Sequence, residues 1–252
     1  MVNQDTSVKI RKLLQRVKSA ILNILFPIEC LGCGRENGWL CDGCANKIKY
    51  NLEDMCVVCK EFSQFGLTHR RCQKRTSLDG LIIACSFDDR LLRNIIYRFK
   101  YNFVKDLAQG LSQILINKIL LAKQQGNSFL FEYDLIVVPV PIHTRRLRWR
   151  GFNQSELLAR AIVDFFGYRF ENGILQRRKY TRPQTKLKRK KRIKNIENVF
   201  IVDESKTDNF AKTNILLIDD VATTGSTINE CARVLKANGA KNVWGIVLAR
   251  GE

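Results

Sequence analysis

Residues 215–227, ILLIDDVATTGST, constrain the fold of this chain more than any other stretch. Residues 215–218 are an unbroken apolar run and predict a buried strand. Two carboxylates follow, Asp219 and Asp220, then Val221 and Ala222, then the small residues Thr223, Thr224, Gly225, Ser226 and Thr227. Ile228, Cys231, Ala232 and Leu235 recur directly afterwards at helical spacing. The pattern is strand, acidic turn, small-residue loop, helix N-terminus. Loop amides and hydroxyls at a helix start can wrap an anion, and the helix dipole favours negative charge there. The carboxylates need something else beside it, because a phosphate offers them no donors whereas vicinal sugar hydroxyls do. An ordinary strand–turn–helix, with acids complementing the helix dipole, uses the same residue types. A ribose 5-phosphate accounts for both halves of the stretch, with hydroxyls for the acids and an anion for the loop.

Seven of the nine cysteines fall within residues 30–72. Cys30 and Cys33 are followed by Cys41 and Cys44, and each two-residue gap lets a tight turn aim two sulfurs at one ion. Cys56 and Cys59 open a second unit that closes with His69 and Cys72, the histidine standing where a fourth cysteine of that unit belongs. Disulfides are the competing use of such cysteines. A cytoplasmic setting disfavours them, and the regular spacing favours two structural zinc ions. The pairing, contiguous or interleaved, is left open by spacing alone. So short a segment has too little core to fold unaided, and zinc would supply its stability. Cys85 and Cys231 lie on apolar faces and read as core residues.

At 252 residues the chain suits one large or two unequal domains. Forty-three Lys and Arg against 24 Asp and Glu give a formal charge of +19. Seven thiolates on two zinc ions lower this to about +16. Such a balance points to a polyanionic partner: nucleic acid, an anionic membrane or phosphorylated substrates. No apolar run is long enough to span a bilayer, and no small-residue cleavage site follows the short apolar run at 20–26. The expectation is a cytoplasmic protein.

Residues 7–25 predict a basic amphipathic helix, which docks either on the protein's own core or peripherally on anionic lipid or a partner at the inner membrane. Residues 81–87 predict a strand, residues 90–101 a helix capped by Asp88 or Asp89, and residues 105–124 a second helix. Residues 134–138 predict a strand of the parallel-sheet kind, feeding a basic loop with Arg145, Arg146, Arg148 and Arg150 before Gly151. His143, in the same loop, has no evident partner. A helix from Asn153 to Phe166 follows. Two short strands, 174–175 and 198–202, flank residues 177–194, which hold eleven basic residues and no acid. Such a run is either a solvated loop or a hood over a polyphosphate, and its density also fits single-stranded DNA, with Tyr180 or Trp149 available for stacking. Strands at 215–219 and 242–248 complete a βα alternation that argues an α/β parallel sheet. The expected organisation is a basic helix over 1–27, a zinc-binding module over 28–77 and a sheet domain over 78–252.

Four features together resemble the ComF family of competence-associated proteins (ComFC- and GntX-like). They are the double cysteine module, the run VPVPIHTRRLRWRGFNQ at 138–154, the spaced set Thr181, Gln184, Leu187, Arg192, Asn195 and Phe200, and residues 215–227. His69 is the departure, in a usual cysteine position. The resemblance implies a type I phosphoribosyltransferase fold behind an N-terminal double zinc-ribbon-like module. It implies binding of phosphoribosyl pyrophosphate (PRPP) with Mg2+. Asp219 and Asp220 would be the catalytic pair at the ribose. Ala222, Thr223, Thr224, Gly225, Ser226, Thr227, Arg145, Arg146, Arg150, Asn153, Gln154 and Arg192 would be the substrate-binding residues. It also implies a role in natural transformation, handling incoming single-stranded DNA with translocation machinery at the inner membrane. A phosphoribosyltransferase of nucleobase salvage and a non-catalytic PRPP-sensing or DNA-binding module are the alternatives, because fold does not fix reaction.

Overall fold

The computed structural model describes residues 27–36, 38–51, 53–102, 104–131, 135–181, 196 and 198–251. The expected helix over 7–25 and most of the basic run, Arg192 included, lie outside these residues. The chain divides into two compact units, Met1–Lys47 and Ile48–Glu252. The division falls inside the segment 28–77 that the cysteines group together in sequence.

In the smaller unit, Cys30 N donates to Arg35 O at 2.8 Å and Gly34 N to Cys30 O at 2.9 Å, which shapes a knuckle with Gly34 at φ 73°. One helical turn, α1 (Asp42–Ala45), carries the second cysteine pair, with Cys44 N on Cys41 O at 3.0 Å. The larger unit opens with the same design. Cys56 N donates to Glu61 O at 2.9 Å and Lys60 N to Cys56 O at 3.0 Å, with Lys60 at φ 63° where the first knuckle has glycine. Cys72 N donates to His69 O at 2.7 Å, as Cys44 does to Cys41. The two modules are therefore structural repeats, and His69 stands at the position of Cys41.

The larger unit is built on five parallel strands in the order β1-β7-β6-β2-β3. These are β1 (Gly80–Ser86), β2 (Ile136–Pro139), β3 (Arg169–Phe170), β6 (Asn214–Ala222) and β7 (Asn242–Arg250). A separate antiparallel pair, β4 (Leu175–Arg177) and β5 (Phe200–Val202), stands outside the sheet. Helices α2 (Arg90–Tyr101), α3 (Leu107–Gln124) and α5 (Gln154–Phe166) join the strands, with α4 (Thr144–Arg150) between β2 and α5. Helix α6 (Ser226–Ala237) packs on β5, β6 and β7. Its buried Ile228, Cys231, Ala232 and Leu235 share a core with Ile215 and Leu217 of β6 and Phe200 of β5. Burying the sheet on both faces is what requires strands as apolar as residues 215–218 and 243–248. Asp89 caps α2, its side chain accepting from Leu92 N at 3.0 Å. Gly80 is glycine because a Cβ there would lie 2.5 Å from the ring of Trp244, which stacks on Phe129 at 5.1 Å.

Three local expectations change. β6 runs on to Ala222, so Asp219 and Asp220 are strand residues: β7 extends equally far and pairs Val247 with Asp219 and Ala249 with Val221. Residues 144–150 are a helix, because His143 Nδ1 accepts from Arg145 N at 3.1 Å as its cap and Gly151, at φ 79°, ends it. His143 thus has a structural task that the sequence left open. The edge strand β3 is too short to show a period in sequence. Among the described residues no helix is long and apolar enough to cross a membrane.

Candidate functional site

Parallel α/β sheets gather ligands at the carboxyl ends of their strands. Here those ends open into a cleft of about 1060 Å³. Phe87 follows β1, Val140, Pro141 and Ile142 follow β2, Asp219, Asp220 and Val221 end β6, and Gly251 follows β7, all lining it. Arg145, Arg146, Trp149 and Arg150 of α4 form one wall, and Arg177 and Tyr180 come from β4 and the residues after it.

The acidic pair sits on the floor. Asp219 Oδ1 accepts from Ser155 Oγ at 2.9 Å and from Asp220 N at 2.9 Å. Asp220 Oδ1 accepts from Val221 N at 2.7 Å and meets Lys100 Nζ at 2.9 Å. Burial, then the neighbouring Asp220 charge, push the Asp219 carboxyl up to about 7, against the lowering effects of Lys100 and Ser155. Lys100 and Ser155 were not singled out in sequence. Ser155 follows Gln154 directly at the start of α5, and Lys100 is one cation among several on the polar face of α2.

The arginines are held by neutral groups. Arg146 Nη2 donates to Thr181 O at 2.9 Å, and Arg177 Nη2 to Thr181 Oγ1 at 2.5 Å. Arg150 Nη1 donates to Gln154 Oε1 at 2.5 Å. The Nε of Arg150 and that of Arg177 are buried with no hydrogen-bond partner among the described residues. Burial, with Arg146 nearby, lowers the Arg177 guanidinium to about 10. Tyr180 lies 5.0 Å from the Arg145 guanidinium and 5.7 Å from that of Arg146, and Arg150 lies 5.8 Å from the Tyr101 ring. Tyr97, Tyr101, Trp149 and Tyr180 are exposed aromatics around the same cleft.

The remaining expected residues divide. Thr223 and Thr227 line the cleft, whereas Thr224, Gly225 and Ser226 line a second cavity of about 530 Å³. Within the loop, Thr224 Oγ1 donates to Ser226 Oγ at 2.9 Å. Ala222 anchors the loop's root, its carbonyl accepting from Gly251 N at 2.8 Å. Gln154 lines the cleft. Asn153 is the α5 cap, accepting from Ser155 N at 3.2 Å and donating to Val140 O at 3.1 Å.

Two side-chain clusters fit a metal. Cys30, Cys33, Cys41 and Cys44 form one and Cys56, Cys59, His69 and Cys72 the other, the donor atoms of each lying within 4.8 Å of one another. Four sulfurs around a tetrahedral zinc stand about 3.8 Å apart. Cys33 Sγ and Cys41 Sγ are 3.7 Å apart, and Cys59 Sγ is 3.3 Å from His69 Nδ1. Both donor sets are therefore compatible with zinc, each built from contiguous pairs rather than interleaved ones. All nine cysteines are free thiols. Cys85 and Cys231 are buried in the core, and burial raises both thiols.

Comparison with known proteins agrees with this layout. A family model described as a phosphoribosyl transferase domain matches residues 154–252, from the start of α5 through β7. The chain is 31% identical to "Competence protein F" of Haemophilus influenzae over 89% of its length and 98% of that protein's. It is 26% identical to "DNA utilization protein YhgH" of Salmonella typhimurium over 81% of its length and 87% of that protein's. "Competence protein ComFC" of Bacillus subtilis is 25% identical, with 84% of each chain covered. Whole-length similarity at this level, with the cysteine modules ahead of the sheet, places the chain in the ComF family.

Proposed function

We propose that the cleft binds PRPP or a related ribose phosphate, and that the protein serves DNA uptake in natural transformation by handling single-stranded DNA on its basic surface. The observation that carries the reading is the juxtaposition on one cleft of an acidic pair with arginines held by neutral groups. Asp219 and Asp220 accept from the ribose hydroxyls. The amides and hydroxyls of residues 223–227 take the 5-phosphate at the start of α6. Arg145, Arg146 and Arg150 face the pyrophosphate, Arg192 is a further cation for the same anion, and Mg2+ accompanies it. If the site turns over, charge develops at the anomeric carbon as pyrophosphate departs, and cations placed beforehand stabilise the leaving group. The names of the relatives in Haemophilus, Salmonella and Bacillus support the DNA role, and the exposed aromatics interleaved with arginine support stacking of unpaired bases.

Calorimetric titration of the full chain with Mg-PRPP tests the site. Wild-type protein is expected to bind and the double variant Asp219→Asn, Asp220→Asn to lose at least tenfold in affinity with folding intact. Equal affinity of the two overturns the sugar-phosphate assignment. Pyrophosphate release with nucleobases or DNA ends as acceptors separates an enzyme from a binding module. Single-strand affinity that does not fall with salt removes the electrostatic DNA surface.

A further inference from the structure

The second metal module touches the anion loop itself. Val57 lies between the ligand positions Cys56 and Cys59, and its side chain is buried in the core beneath α6. Gly225, at φ 76°, carries the loop backbone past it: a Cβ on Gly225 would lie 3.2 Å from Val57 Cγ2. The Val57 carbonyl accepts from Arg250 Nη2 at 3.2 Å, and the next residue, Gly251, donates to the carbonyl of Ala222 at the loop's root. Just beyond the last ligand, the Thr76 hydroxyl and the Ser77 amide both donate to Asn229 Oδ1, at 2.6 and 2.7 Å, in the first turn of α6. Asp79 then holds Lys236 of the same helix at 2.7 Å. Val57 thus backs Gly225 within the loop, while Thr76, Ser77 and Asp79 fasten the helix that follows it. The brace is narrow. The 530 Å³ cavity opens beside it, between Val57, Val58 and the loop, so surrounding side chains do not absorb a shift of the knuckle.

We infer that the second metal centre positions the anion loop, with Val57 as the residue through which it acts. A four-ligand site of this kind fixes its turns only while the ion holds them together. Release of the ion from Cys56, Cys59, His69 and Cys72 frees the knuckle, Val57 leaves Gly225, and residues 223–227 lose the wall that sets their backbone. The inference concerns the second centre alone, whose ligands share a compact unit with the loop. The inference is independent of which anion the loop takes, so it stands or falls apart from the function proposed above.

Hydrogen–deuterium exchange on the full chain, with zinc content measured on the same samples, tests it. Val57→Gly keeps every ligand. It is expected to retain wild-type zinc while residues 223–227 exchange about tenfold faster and β2 is unchanged. Val57→Thr, of the same shape, is expected to restore the wild-type rate. His69→Ala should lose one ion and loosen the loop, whereas Cys33→Ser should lose one ion and leave the loop's rate as it was. Unchanged loop exchange in Val57→Gly overturns the inference, as does equal loosening by Cys33→Ser and His69→Ala. Should His69→Ala unfold globally, the two Val57 variants decide the matter alone.

Discussion

Lys100→Met removes the cation that faces the acidic pair. Lys100 Nζ lies 2.9 Å from Asp220 Oδ1, and the two side chains are 22% and 9% exposed. At that separation the Coulomb attraction is about 6 kcal/mol for an effective dielectric of about 20. Desolvation of both groups cancels much of this gross figure. Water at the cleft mouth screens part of the rest, which leaves a net loss of about 2 kcal/mol. Methionine keeps the helix propensity and the apolar stem, so the substitution isolates the charge. The pH dependence is the sharper readout. Asp219 is raised in the folded state to about 7, with Lys100 working against the shift. A carboxyl raised on folding costs stability above its folded value and costs nothing below its unfolded value near 4. Without Lys100 the upward push is larger. The variant's extra cost on Asp219 is therefore fully present only above the variant's own folded value, which lies above about 7, and fades below about 7, where Asp219 is protonated in both folded proteins. Urea unfolding of both proteins, with unchanged m-values, should show a difference of about 2 kcal/mol at about pH 9 and under about 1 kcal/mol at about pH 5. A difference that is equal at the two pH values, or larger in acid, refutes the charge argument.

Metal analysis of the purified full chain should return about two zinc ions, falling to about one in His69→Ala; an unchanged content would remove His69 from the ligand set. Gly80→Ala drives a methyl into the Trp244 ring, a 2.5 Å approach, and should destabilise by about 1–3 kcal/mol in urea unfolding. Asp89→Ala deletes the 3.0 Å cap on Leu92 N and should cost about 1 kcal/mol, read as a lower urea midpoint with the same slope.

Where one interaction dominates locally, the sequence carries the structure. Apolar runs buried on both faces announced β2, β6 and β7, and the periodic faces of α2 and α5 placed their ends to within a residue or two. Asp89, one of two acids offered as a cap, is the one that accepts from Leu92 N. The cysteine spacing located both clusters of candidate ligands, and in the structure each gathers contiguous pairs. Where a neighbour in space decides, the sequence is silent. Four cationic residues in seven hide the helix at 144–150, because its start and stop are a histidine cap and a left-handed glycine rather than a hydrophobic stripe. Lys100 and Ser155 gain meaning only when α2 and α5 converge on the end of β6. Arg177 is one cation among eleven in its run until β4 turns it into the cleft.

The disposition of charge separates the cations that pair with an acid from those that do not among the described residues. Arg160 pairs with Glu156, Arg169 with Glu171, Arg233 with Glu230 and Lys236 with Asp79, each at 3.2 Å or less. Arg146 and Arg177 form no ion pair among the described residues. A backbone carbonyl and a hydroxyl of Thr181 hold them, and each repels the other's charge, with Asp219 offsetting this only in part at Arg177. Keeping two guanidiniums adjacent costs free energy that an anion between them would return. The same cleft buries a carboxylate pair that Lys100, Ser155 and two backbone amides satisfy in part, whose mutual repulsion helps raise Asp219 and whose remaining lone pairs can accept from hydroxyls. A simple phosphate relieves the first strain and not the second, and a neutral sugar does the reverse. A phosphorylated sugar relieves both, which is why the arrangement of the arginines, rather than the acidic pair alone, favours a ribose phosphate over any lone anion in this cleft.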